Sequence, residues 1–107
     1  MGENLSPEDG YLAARAAAID LLGTLHTAVT DLAMVRRFVK LTVFINSAPA
    51  FLDHPSIANG ASDLLRDVFG DDMLPTRSAV GVAQLPFGAC VEVELIAEAG
   101  DEGDRRS

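Results

Sequence analysis

Val35-Arg-Arg-Phe-Val-Lys-Leu-Thr-Val-Phe-Ile-Asn46 is dominated by β-branched and aromatic side chains, the types that fit a pleated, half-buried surface. With a side-chain period of two, Val39, Leu41, Val43 and Ile45 fall on one face, and Phe38, Lys40, Thr42 and Phe44 on the other. The stretch predicts a strand with one dry face and one mixed face. Ser47-Ala48-Pro49 breaks it.

Working outward, helical patterns flank this strand. Upstream, Ser6-Pro7-Glu8-Asp9 is a helix start: Ser6 can cap, Pro7 suits the first helical position, and the two acids complement the positive end of the dipole. From Tyr11 to about Val29 the chain is rich in Ala and Leu, with Leu12, Ala16, Ile19, Leu22 and Leu25 at helical spacing. The alanines imply close packing on a flat partner, and Gly23 is a weak spot. Downstream, Pro55 to Phe69 returns to a helical pattern through Ile57, Leu64, Leu65 and Val68. Asn59-Gly60 could instead be a turn inside it, and Gly70 is a stop.

Two further strands are expected, Thr76 to Leu85 and Cys90 to Glu98, joined as a hairpin by Pro86-Phe87-Gly88-Ala89. In the second, Val91, Val93, Leu95 and Ala97 alternate with Glu92, Glu94 and Ile96. The order is α-β-α-β-β, an α+β domain with its helices on one sheet face. Residues 1–98 are expected to form one domain, and 99–107, which end Gly100-Asp-Glu-Gly-Asp-Arg-Arg-Ser107, an acidic disordered tail. Three strands are few for two covering helices.

The 107 residues carry 16 acidic and 8 basic side chains, a formal charge of −8. That balance opposes a phosphate backbone, whose binding is driven by Lys and Arg. At 49 % hydrophobic residues the chain is too apolar for disorder. A single cysteine, Cys90, leaves no internal disulfide to form. The acidic, polar start Met1-Gly2-Glu3-Asn4 lacks the regions of a signal peptide, and no run of about 18 uncharged apolar residues occurs. These features lead to the expectation of a cytoplasmic domain that binds neither nucleic acid nor membrane.

There is no Gly-x-Gly-x-x-Gly, P-loop or Gly-x-Ser-x-Gly elbow. His26 and His54 fall on different elements without partners at ligand spacing, so no metal site is expected. Cys90 reads as a small hydrophobe, and Asp71-Asp72 as a solvated turn. Arg77, at the start of Thr76-Arg77-Ser78-Ala79-Val80-Gly81-Val82, admits two readings. Its planar, five-donor fork matches a carboxylate bidentately; alternatively it is a solvent-facing strand arginine paired with a nearby acid. Glu92 and Glu94 share one strand face. They are exposed carboxylates, or, beside an interface or cleft, one of them could serve proton transfer.

Taken together, Arg77 to Val82, Leu85-Pro86 and Val91-Glu92-Val93-Glu94-Leu95-Ile96-Ala97 resemble the carboxy-terminal signature of the RidA/YjgF family. These are the reactive-intermediate deaminases once labelled endoribonuclease L-PSP. The likeness continues upstream through Val39-Lys40-Leu41 to Asn46, Asp53-His54-Pro55 and Asn59-Gly60-Ala61-Ser62-Asp63-Leu64-Leu65, from about Leu5 to Glu98. The last of these stretches is similar to a less characterised branch of longer relatives.

The resemblance implies a chorismate-mutase-like α+β subunit in a homotrimer with a site at each of three interfaces. It also implies cofactor-free, metal-free hydrolysis of 2-imino or 2-enamino acids to 2-oxo acids and ammonia. By position, Arg77 would hold the substrate carboxylate, the Ala79 backbone would help position it, and Glu92 would orient or activate the attacking water. Asn59 aligns loosely with an asparagine lining the trimer's inner interface. An imine carbon is already electrophilic, so an anchor, a positioned water and a proton route suffice.

Two departures stand out. Ala79 occupies a position where well-known members carry cysteine, although only its backbone is asked to act. Family members also normally begin with two strands and a Ser-Gly turn that contribute to the pocket wall, and this hairpin is expected to be lacking here. The alternative function is a non-catalytic trimer, binding small carboxylates or acting as a chaperone. The acidic charge and the lack of a basic, aromatic-studded face count against RNA cleavage.

Overall fold

The computed structural model describes residues 6–29, 32–46, 53–85 and 89–100. The break expected at 47–49, most of the 86–89 turn and residues 101–107 of the expected tail lie outside them. The elements are α1 (Pro7–Val29), β1 (Val35–Asn46), α2 (His54–Phe69), β2 (Thr76–Val82) and β3 (Val91–Ala99), with short 3-10 turns at Leu32–Met34 and Asp71–Met73. The order α-β-α-β-β and the α+β class are as the sequence predicts. Ala99, placed in the tail above, is the last residue of β3 and pairs with Val35.

The expected hairpin does not form. The sheet order is β2-β1-β3, with β1 parallel to β2 and antiparallel to β3. β1 carries the driest face and is covered best in the middle of the sheet. The α2 crossover returns the chain parallel to β1. β2 and β3 therefore lie at opposite edges, about 10 Å apart, and Leu85, just after β2, is buried.

The strict alternation expected along β1 is also corrected. Phe38 pairs with Ala97 and Lys40 with Ile96, so Val39 is an extra residue on β1. This bulge turns Val39 outward (39 % exposed) and puts Phe38 (5 %) into the core with Leu41, Val43 and Ile45. There Phe38 meets Phe69 of α2 edge-to-face at 4.8 Å between centroids. Thr76 donates its hydroxyl to the Val39 carbonyl at 3.0 Å, partnering a group at the irregularity.

α1 opens as read. The Asp9 N–H donates to Ser6 Oγ at 3.1 Å and the Ser6 N–H to Asp9 Oδ2 at 3.3 Å, a reciprocal cap. Its buried stripe, however, is Gly10, Ala14, Ala18 and Leu22. Leu12 and Ile19 are more than half exposed, because the small residues face the close contact with α2. α1 is also long and apolar enough, by length and composition, to cross a membrane, which a search for uncharged runs overlooks. In this fold its small-residue stripe lies in the core.

Asn59-Gly60 is not a turn: both residues lie inside α2. A Cβ at Gly60 would collide with the Tyr11 carbonyl oxygen and sit 3.0 Å from the Arg15 nitrogen. Gly60 thus marks where the two helix backbones approach. The core closes around Ile57, Ala58, Ala61, Leu64 and Leu65 of α2 and the inward side chains of the sheet.

Candidate functional site

Strand register decides which face each candidate occupies. Arg77, Ala79 and Gly81 of β2 lie beside Leu41, Val43 and Ile45 of β1, the positions buried under the helices. Arg77 is therefore the first helix-side position of β2, at the end of the strand, where its long side chain can reach the flank of α2. Its Nη1 donates to Asn59 Oδ1 at 2.6 Å and to Ser62 Oγ at 3.2 Å. Asn59 and Ser62 are three apart on one helix, hence neighbours on its surface. The Gly60 approach holds that turn of α2 against α1.

The acid pairing considered for Arg77 is not found among the described residues. The acids of the neighbouring α2 surface are engaged elsewhere. Asp63 accepts from the Tyr11 hydroxyl at 2.7 Å and from Arg66 at 3.0 Å. Asp67 pairs with Arg15 at 2.8 Å, and Asp71, expected to be only solvated, pairs with Arg66 Nε at 2.8 Å. The hydrogen bond to Asp63 holds the Tyr11 phenol above its ordinary pKa, and the one to Asp67 raises that of Arg15. Among the described residues Arg77 has no acidic partner and is oriented by two neutral acceptors.

Ala79 follows Arg77 two residues along the same face and packs against the core. Glu92 is elsewhere. It pairs with Phe44, and Glu94 with Thr42, while Val91, Val93 and Leu95 between them pack against the core. Both glutamates are exposed on the opposite face, which no described helix covers. One chain therefore brings together Arg77, Asn59 and Ala79, adds Ser62, and leaves Glu92 on the far side of the sheet. Ser62 was not singled out from sequence; its spacing from Asn59 on a helical face was the available signal.

No group of three or more His, Cys, Asp or Glu side chains that could hold a metal occurs among the described residues. His26 and His54 lie at the ends of different helices, and Cys90 is a half-buried free thiol.

Comparison with known proteins bears directly on this arrangement. The family model described as Endoribonuclease L-PSP matches residues 2–99. The chain belongs to the RidA/YjgF (endoribonuclease L-PSP) family. Among curated proteins it is similar to Protein TCP17 of Trypanosoma cruzi, 48 % identical over 99 residues that cover 92 % of this chain and 62 % of that protein. Among solved RidA-like structures, protein Atu1372 of Agrobacterium tumefaciens, of unknown function, superposes with a TM-score of 0.90 at 36 % identity. That match covers 94 % of this chain and 64 % of the other. A protein of Shewanella oneidensis MR-1, provisionally assigned as an endoribonuclease, follows with a TM-score of 0.87 at 28 % identity, covering 91 % and 64 %. The chain thus spans a little under two thirds of these RidA/YjgF relatives.

Proposed function

We propose that this RidA-family chain hydrolyses reactive 2-imino or 2-enamino acids to 2-oxo acids and ammonia without a cofactor, in the cytoplasm. The observation that carries the reading is the Arg77 guanidinium, braced by Asn59 and Ser62 and unpaired with any acid among the described residues. A guanidinium fixed in this way suits a substrate carboxylate. Bound there, the substrate would present its electrophilic imine carbon near the Ala79 backbone.

Glu92 would orient or activate the attacking water, accepting its proton as the C–O bond forms. Glu92 then passes that proton to the nitrogen, and as the C–N bond breaks the carbinolamine hydroxyl proton is transferred to the departing nitrogen, releasing ammonia and leaving the 2-oxo acid. Because Glu92 projects from the opposite sheet face, the reading requires Arg77 of one copy to meet Glu92 of another. The uncovered face, with Val80 39 % and Ile96 51 % exposed, supports assembly through it into a homotrimer with a site at each interface.

One observation favours a second reading. The Arg77 cradle is complete without Glu92, so a non-catalytic trimer that only binds small carboxylates, or acts as a chaperone, needs nothing more. Incubation with a threonine dehydratase and threonine separates the two. Faster release of 2-oxobutanoate on adding this protein is expected, and no acceleration at any protein concentration would leave only the binding reading.

A further inference from the structure

The geometry points to Ser62 as a positioning residue that dictates which edge of the Arg77 guanidinium receives a carboxylate; this rests on the carboxylate-anchor reading above. A guanidinium can clamp a carboxylate end-on, through Nη1 and Nη2, or side-on, through Nε and Nη2. Nη1 carries two hydrogens. Both acceptors found for Arg77, Asn59 Oδ1 at 2.6 Å and Ser62 Oγ at 3.2 Å, lie on this one nitrogen. With two acceptors from α2 on this nitrogen, an end-on clamp would have to share Nη1 with the helix. Nε and Nη2 have no partner among the described residues and form the edge that remains.

Asn59 alone would not achieve this. With one acceptor the group can swing about the single bond, and both clamps compete. Ser62 supplies the second contact from the next turn of the same helix, so the plane of the fork is set by a rigid element. Asp63, the residue beside it, does not compete for Arg77, because its carboxylate is held by Tyr11 and Arg66. Ser62 touches Arg77 rather than the ligand.

The test uses the full chain with 2-oxobutanoate, the product of the proposed reaction, as probe, and follows the Arg77 side-chain nitrogens by NMR, assigned by their loss in Arg77→Ala. In the wild type, adding 2-oxobutanoate is expected to shift the Arg77 Nε–H resonance and leave the Nη1 hydrogens in place. In Ser62→Ala the Nη resonances should average, and 2-oxobutanoate binding should weaken by about three- to tenfold, the size of a typical net hydrogen-bond contribution, because Ser62 acts through Arg77 and not on the ligand. Ser62→Thr, which keeps the hydroxyl, should restore both, and melting temperatures should stay alike, since Ala suits a helix. Shifts confined to Nη1 and Nη2, wild-type binding by Ser62→Ala, or no Arg77 response at all would overturn the assignment. A side-on response in a protein that does not speed imine hydrolysis would uphold Ser62's role and refute the enzymatic reading alone.

Discussion

Arg77 on β2 and Glu92 on β3 project from opposite faces of one three-stranded sheet: Arg77 stands beside Leu41 under the helices, and Glu92 beside Phe44 on the uncovered side. The two residues that a RidA-type hydrolysis would use are thus separated within one chain by the thickness of a sheet. The anchor half is assembled by a single copy, from β2 and α2. In the proposed hydrolysis, the water-activating half would come from a neighbour.

The anchor half predicts a sharp response to a substitution that keeps the charge. Arg77→Lys retains a cation but has no planar fork and cannot satisfy Asn59, Ser62 and a bidentate carboxylate together. Imine hydrolysis, read as 2-oxobutanoate release, should fall roughly ten- to a hundredfold, the range for charge-assisted hydrogen bonds. Unchanged kcat/KM in a folded Arg77→Lys protein would remove Arg77 from the site.

The helix contact that carries Asn59 and Ser62 can be tested through stability. Gly60→Ala drives a methyl group into the Tyr11 carbonyl, and backbone cannot step aside as a flexible side chain can. The expected loss is about 3 kcal/mol, the upper part of the overpacking range, measured by urea denaturation. An equally stable Gly60→Ala protein would mean that the helices do not meet there.

The elements were legible in the sequence, but their pairing was not. The period-two run of β3 and the Ser6 start of α1 signal themselves locally, because each depends on near neighbours. The Val39 bulge depends on how β3 lies against β1, so the alternation expected along β1 failed at Phe38 and Val39. The parallel β1–β2 register is likewise set by a crossover, not by the short turn that suggested a hairpin. The cradle inherits this: Arg77 and Glu92 could be picked out by type and motif. That Arg77 meets Ser62, fifteen residues away, and that Glu92 faces the other way, follow only from the register.

The seam between the helices predicts an alkaline limit. The Tyr11 phenol donates to Asp63 at 2.7 Å, and its pKa is raised in the folded chain. A group with a raised folded pKa stabilises fully below its unfolded value, near pH 10, and this contribution is lost as pH rises through the folded value. Stability should therefore decline above about pH 10. Tyr11→Phe should be less stable at neutral pH, with a shallower alkaline decline in thermal melts. Identical pH profiles for the two proteins would dissociate Tyr11 from that limit.

Assembly is open to a direct mass measurement. With one sheet face covered by no described helix and Glu92 on it, light scattering at micromolar concentration should give three times the chain's 11.3 kDa. A mass of one chain would rule out the composite site.

The central claim is that the site joins Arg77 of one copy to Glu92 of another, and complementation tests it most directly. Arg77→Ala and Glu92→Ala chains, each inactive alone, are co-expressed so that mixed assemblies form, and 2-oxobutanoate release is measured. The account predicts that the mixture regains a measurable fraction of wild-type activity, because some interfaces pair an intact Arg77 with an intact Glu92. Mixed assemblies as inactive as the parents, while the wild type is active, would contradict it.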